Sequence, residues 1–332
     1  MTLLTSPATN RRSALQMTLR WAGWALAAAL FATLASAAAH LALTSRERAE
    51  LSGYGQRVTL PSGALNVYRS GGHGPVLVLL SGLGTPAPAA DFAPLIRELG
   101  GFDVIVVEGF GYGASDLGVG DRSVENITTE LHEALRQVGV RGSVILAGHS
   151  IGGVYARYYA QAYPGEVSAL VGIDPTPASA STLEVGWTPP TAGLLGWTGL
   201  PRWVLTLAPE LILPSGTAYT EDERSRMLTL ARWNYGNRSV ADEEAHLAAN
   251  LTRTAARPFP SDVPVLEFLA GDKVASDPSW LPRHERELAG VRHHEIRIVP
   301  GEHYLHWTQA PLLGRSIAAF VAREVPAGRT AR

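Results

Sequence analysis

Two residues of this chain have the types and settings for nucleophilic chemistry. Ser150 stands in Gly148-His149-Ser150-Ile151-Gly152-Gly153, and His303 stands in Pro300-Gly301-Glu302-His303. A serine hydroxyl is a weak nucleophile until a base removes its proton, and the base needs a carboxylate to orient it. The spacing Gly-x-Ser-x-Gly suits such a serine when an apolar strand precedes it and a helix follows, the setting of a nucleophile elbow. Residues 144–146 are strand-like, and Tyr155, Tyr158, Tyr159 and Ala162 recur at helical spacing over 151–163. Gly148 and Gly152 permit a sharp turn that side chains would obstruct. The first amides of the helix would then point at a reacting carbonyl oxygen. Small residues at a strand-to-helix turn also serve plain packing, and it is the flanking elements that favour chemistry here.

The base is expected after the last strand and before the final helix, because the chain order of such a site is serine, acid, histidine. His303 follows the turn after residues 295–299 directly and is the choice. His306, one helical turn on, is second. His293 and His294 are expected in solvent, and His149, inside the elbow, is expected to support the turn.

Elements able to position these residues are legible around them. Residues 56–60 and 65–69 alternate apolar and polar around Pro61-Ser62-Gly63, a hairpin pattern. Short apolar runs follow at 76–80, 104–107, 144–146, 169–173, 265–270 and 295–299, most of them lacking alternation, as do strands covered on both faces. Helical periodicity lies between them at 92–99, 124–138, 151–163 and 312–324. This is an α/β chain with a mostly parallel sheet and an antiparallel start. Residues 176–262 break the rhythm with eight prolines and tryptophans that include Trp187, Trp197, Trp203 and Trp233. So long an insertion is expected to be a helical cap, containing helices near 221–232 and 241–255. Its aromatics are expected mainly to fill the cap, some of them lining an apolar pocket.

The chain resembles the α/β-hydrolase superfamily from about Gln56 onward. The elbow carries the resemblance, together with Gly301-Glu302-His303 and Glu108-Gly109-Phe110-Gly111-Tyr112-Gly113-Ala114-Ser115. The last is similar to the family's D-x-x-G-x-G-x-S, with glutamate at its first position. The resemblance implies an α/β-hydrolase fold, with the cap inserted between the sixth and seventh core strands. It implies an oxyanion hole from the amides of Ile151 and of Leu83, the latter in Ser81-Gly82-Leu83-Gly84. It also implies an acid after the sixth or the seventh strand. Gly172-Ile173-Asp174-Pro175 supplies Asp174, the preferred candidate, and Gly271-Asp272-Lys273-Val274 supplies Asp272, the alternative, although the family's usual position there holds Val274. The implied activity is hydrolysis of an ester or related acyl bond through an acyl-enzyme on Ser150. An acyltransferase would use the same residues, and a non-catalytic binding protein could share the fold. Epoxide and haloalkane hydrolases resemble the chain too, but carry aspartate where Ser150 stands.

Composition narrows the classes. Across 332 residues, 46% hydrophobic and 17% charged, the chain can bury a large core. A net charge of -2 without a basic stripe argues against nucleic acid as a partner. With no cysteine there is no thiolate chemistry or disulfide. No metal cluster or phosphate loop is evident, so neither a metal nor a cofactor is expected. The expected partners are a small hydrophobic acyl substrate and a membrane. Residues 21–43 form an apolar run within the N-terminal tail, 1–50, long enough to cross a bilayer. Arg11, Arg12 and Arg20 precede it, and Glu47 and Glu50 dilute the charge behind it. That asymmetry predicts an anchor with the catalytic domain, 51–332, outside the cytoplasm. The alternative is secretion after signal cleavage near Ala35-Ser36-Ala37.

Overall fold

A computed structural model of the chain describes residues 8–51, 54–118, 120–180 and 196–326. Trp187, counted above among the cap aromatics, lies outside them. The strands are β1 (Gln56–Leu60), β2 (Gly63–Arg69), β3 (Val76–Leu80), β4 (Asp103–Glu108), β5 (Val144–His149), β6 (Val167–Ile173), β7 (Val265–Ala270) and β8 (His294–Val299). They form one sheet in the order β1-β2-β4-β3-β5-β6-β7-β8. β2 pairs antiparallel with β1 and with β4, and every later pairing is parallel. Every residue of β3, β5 and β7 is buried, which explains their unbroken apolar character. β8 departs from that expectation: it is an edge strand and leaves Ile298 exposed. β5 runs past residue 146 because Gly148 and His149 stay paired with Gly172 and Ile173 of β6.

The first helix, α1 (Ala8–Glu50), is largely exposed, and helices that follow it cover both faces of the sheet: α2 (Pro88–Asp91), α3 (Ala93–Glu98), α4 (Val124–Gln137) and α5 (Ile151–Ala162). One core layer packs α4 and α5 on the sheet through Leu131, Leu135, Val154 and Tyr159. The other buries Phe92, Leu95, Phe268, Ile317 and Phe320 on the opposite face. Between β6 and β7 lie α6 (Leu200–Leu207), α7 (Glu221–Asn234) and α8 (Arg238–Ala255). α7 begins at a capping box of Thr220 and Glu223. α8 begins three residues before the periodicity suggests, because the Asn237 side chain accepts from the amides of Ser239 and Val240. Met227, Leu230, Trp233 and Tyr219 pack there with Ala87 and Ala90 of the body, a third apolar cluster. After β7 come α9 (Gly271–Ser276), α10 (Trp280–Leu288), α11 (Leu305–Thr308) and α12 (Ala310–Glu324). α9 and α10 were not evident from periodicity; each is under three turns, too short for the pattern to repeat.

Candidate functional site

Ser150 sits in the turn between β5 and α5 with φ 54 and ψ −126, a conformation that non-glycine residues rarely adopt. The turn is that tight because the helix starts directly against the sheet. A Cβ at Gly148 would fall 2.3 Å from the carbonyl carbon of Gly152, and one at Gly152 would fall 2.4 Å from the oxygen of Leu80. Ser150 occupies the N-cap position of α5, where a serine side chain usually bonds an amide of the first turn. Here its hydroxyl makes no capping bond. The backbone does the tethering instead: the Ser150 amide donates to the oxygen of Ile173 at 3.3 Å, and its carbonyl accepts from Gly153 and Thr176, each at 3.0 Å. Those bonds tie the elbow to the end of β6, where Asp174 begins.

Asp174 has a positive φ of 42, and its amide donates to the oxygen of Phe268 at 2.7 Å. The side chain is thereby laid across the end of β7. Its Oδ1 accepts from the amide of Ala270 at 2.9 Å, and its Oδ2 accepts from Nδ1 of His303 at 2.6 Å. The carboxylate is 1% exposed while the His303 side chain is 43% exposed. Asp272 lies in the first turn of α9 with an exposed side chain, and only its amide bonds toward this region, to the oxygen of Gly301 at 3.2 Å. The carboxylate that meets His303 is therefore that of Asp174. A crevice of about 560 Å³ opens beside the pair, lined by Thr176, Lys273, Trp280, Arg283 and both aspartates.

His149 lies beneath this pair, buried, with Nε2 3.1 Å from the oxygen of His303 and its ring centroid 4.5 Å from that of His303. Burial, with the adjacent His306 and His303, holds it well below the usual histidine range and so neutral. The neutral ring can donate from Nε2 to the carbonyl that begins the His303 turn. His306 does not share the open face with His303. It is fully buried, with Nε2 2.7 Å from Oδ2 of Asp91, and Trp307 donates to Oδ1 of the same carboxylate at 2.9 Å. The segment 303–307 is thus pinned to α2 on one side and to the elbow on the other.

Leu83 follows β3 in a loop that approaches the elbow closely: a Cβ at Gly82 would lie 3.2 Å from Cβ of Ser150. The amide of Ile151 is the first of α5, among those that a helix leaves without an internal partner. Both residues expected to supply oxyanion donors therefore border Ser150. Behind them lies machinery that the sequence did not disclose. Glu108 is fully buried and accepts from Tyr54 Oη at 2.8 Å, Asn66 Nδ2 at 2.9 Å and the Ala114 amide at 2.8 Å. Burial pushes its carboxyl upward against those bonds. A Cβ at Gly113 would overlap this carboxylate at 1.8 Å, so only glycine fits there. Tyr112 Oη accepts from the Gly84 amide at 3.1 Å and donates to Glu243 of α8 at 2.8 Å; Tyr155 of α5 donates to the same carboxylate at 2.6 Å. One glutamate of the cap therefore holds both the loop after β3 and the helix after Ser150. Glu243 is far from Tyr112 in sequence, and no motif marks it. Among the described residues no group of three histidines or carboxylates is placed to hold a metal ion.

Residues 75–310 match the family model described as the alpha/beta hydrolase fold. Over 131 residues the chain is 34% identical to the uncharacterized protein YbdG of Bacillus subtilis, covering 39% of this chain and 40% of that one. Over 120 residues it is 32% identical to Lipase 1 of Psychrobacter immobilis, covering 35% of this chain and 37% of that one. In both cases the match spans well under two thirds of the relative's length. The crystal structure of epoxide hydrolase VrEH1 from Vigna radiata superposes with a TM-score of 0.61 at 16% identity, over 82% of this chain and 99% of that one. At that identity the likeness concerns the fold alone.

Proposed function

The chain belongs to the alpha/beta hydrolase fold family, and from that membership we propose that it is a serine hydrolase cleaving an ester or related acyl bond. His303 Nε2 takes the hydroxyl proton of Ser150 as Oγ attacks the acyl carbon. Asp174 holds the ring through Nδ1 and stabilises the imidazolium that forms. The amides of Leu83 and Ile151 receive the charge that develops on the carbonyl oxygen. His303 then protonates the leaving alcohol, the acyl group stays on Ser150, and a water activated by the same imidazole releases it. The observation that carries this reading is the 2.6 Å contact between His303 Nδ1 and a buried Asp174. The likeness to Psychrobacter Lipase 1 supports a carboxylic ester as the substrate class.

α1 holds a stretch long and apolar enough to cross a membrane, which is compatible with an anchor or a signal sequence. The arginines ahead of the apolar run and the glutamates behind it favour a cytoplasmic N-terminus, which for an uncleaved anchor leaves the catalytic domain on the non-cytoplasmic side. A fluorophosphonate probe tests the nucleophile. The wild type is expected to gain one adduct, on Ser150, and to hydrolyse a short p-nitrophenyl ester. Ser150→Ala is expected to lose the adduct and at least ~10⁴-fold of turnover while its melting temperature stays unchanged. Labelling on another residue, or turnover surviving in the variant, would overturn the assignment.

A further inference from the structure

Within the long apolar helix α1, the polar residues Ser36, His40, Thr44 and Glu47 follow one another at intervals of four, four and three. Such spacing lines up one helical face, and that face is docked on α6 of the cap. Ser36 Oγ donates to the oxygen of Thr198 at 2.7 Å and accepts from Trp203 Nε1 at 2.9 Å. Arg202 is 2% exposed and spends all three nitrogens on α1: Nε to His40 Nδ1 at 3.1 Å, Nη1 to Glu47 Oε1 at 2.7 Å, and Nη2 to Thr44 Oγ1 and Glu47 Oε2, each at 2.8 Å. Glu47 also accepts from Trp233 Nε1 at 2.7 Å. Gly199 is required at the crossing, since a Cβ there would lie 2.7 Å from Cβ of His40. The polar groups of this stripe thus face the junction, while large apolar groups face out, with Thr206 and Glu210 the exposed polar residues beside them. Leu30, Leu34 and Leu41 of α1 are exposed, and so are Leu200, Trp203, Val204, Leu207 and, just beyond, Leu211 of the cap, with Leu207 at 86%.

We propose that α6 is a second membrane contact, lying in the same bilayer leaflet as the C-terminal part of α1, so that the cap takes its acyl substrate from the lipid phase. The inference deepens the hydrolase reading and rests on it and on α1 as an anchor. The occupant follows from continuity. The docked face starts at Ser36, seven residues before the end of the apolar run at Leu43, which at helical rise is roughly 10 Å below that end. α6 is bolted to α1 from that depth up to Glu47, just past the end of the run, so its outward leucines lie at the hydrocarbon boundary whenever α1 spans. Trp197 and Trp203 are both exposed, and Trp203 bonds Ser36 inside that apolar run. An amphipathic helix in this position presents its apolar face to acyl chains.

The absence of cysteine makes a direct test possible in the full-length chain. Leu26→Cys, Leu207→Cys and Arg141→Cys proteins, each labelled with an environment-sensitive fluorophore, are reconstituted into phosphatidylcholine vesicles that carry nitroxide-tagged acyl chains. The labels at Leu26→Cys and Leu207→Cys are expected to be quenched by the nitroxide lipid and shielded from aqueous iodide, with Arg141→Cys showing the reverse. A Leu207→Cys label that iodide quenches while Leu26→Cys stays in lipid overturns the proposal and leaves the anchor standing. Loss of lipid quenching at both positions removes the anchor as well. Shielding at Leu207→Cys that depends on protein concentration and not on lipid assigns the face to a second copy of the chain and also overturns the proposal. For the substrate arm, Val204→Asp/Leu207→Asp is expected to lower turnover of a long-chain ester embedded in vesicles about tenfold. Turnover of a short soluble ester should be unchanged. Equal loss on both esters overturns the lipid route, whereas absence of Ser150-dependent turnover of the soluble ester in the wild type defeats the hydrolase reading itself.

Discussion

The pair at the top of the sheet and the junction between α1 and α6 are both built on a charge removed from water, but they are finished differently. At the junction every donor nitrogen of Arg202 has an acceptor on α1, and the group is closed. At the site only the carboxylate is closed, by His303 and the Ala270 amide, while the His303 side chain remains 43% exposed. The difference separates a contact that holds two elements together from one that, on the proposed mechanism, orients a base. A structural charge gains by saturating its bonds, because an orphaned donor in a low dielectric is costly. A base must keep one ring nitrogen free for the reacting group.

Substitutions can press on this contrast, and the largest effect belongs to the open pair. Asp174→Asn leaves the shape but removes the charge that orients His303, and a loss of about 10³–10⁴-fold in kcat is expected. Asp272→Asn, on an exposed side chain, should change kcat by less than about twofold. A reversal of the two, measured side by side on one ester, would move the acid to α9. Arg202→Ala makes the opposite case: it leaves Glu47 with only the Trp233 bond of those at the junction and should cost about 3 kcal/mol in thermal or denaturant unfolding. Its kcat on a soluble ester per folded molecule should be unchanged, and an unaltered melting temperature would mean that the junction is no closed contact.

Tyr112→Phe falls between these cases, since it breaks the link from Glu243 to the Gly84 amide without touching the nucleophile. We expect kcat to fall by about tenfold with KM little changed, as for a donor loop held slightly out of place. A drop in stability with kcat intact would make the link purely architectural. The smallest effect is that of pH on His149. Its folded pKa is depressed by burial first and then by His306 and His303. The stability of the neutral ring is therefore fully present above the ordinary value of 6.5 and is lost as pH falls through the lower folded value. Melting temperatures recorded from pH 8 to 5 should decline less steeply for His149→Gln than for the wild type, and parallel curves would remove His149 from that account.

What could be read from the residues depended on how local the interaction was. Apolar runs of three to six residues announce strands, because burial on both faces imposes one composition on consecutive positions. Ser150 was legible because its turn needs glycines at fixed short offsets. Glu108 looked like a mere variant of a motif, yet the structure makes it the anchor of Tyr54, Asn66 and Ala114, contacts with no short-range signature. The polar stripe of α1 was in plain sight, but its meaning waited on Arg202, far along the chain. His306 shows the reverse error: helical spacing suggested a shared face with His303, whereas Asp91 draws it into the interior.

The sequence alone determined the α/β alternation, the helix able to span a membrane, and the serine and histidine as the candidate reacting residues. Each is encoded within a dozen or so neighbouring residues by periodicity, glycine placement or chain order. Tertiary structure alone decided that Asp174, and not Asp272, reaches His303, because that depends on a side chain crossing the end of an intervening strand. It likewise decided that a cap glutamate steadies the loop over Ser150 and that the cap is fastened to α1. Contacts between residues a hundred or more positions apart depend on where sheet order and layer packing bring the chain together, and no local pattern records that.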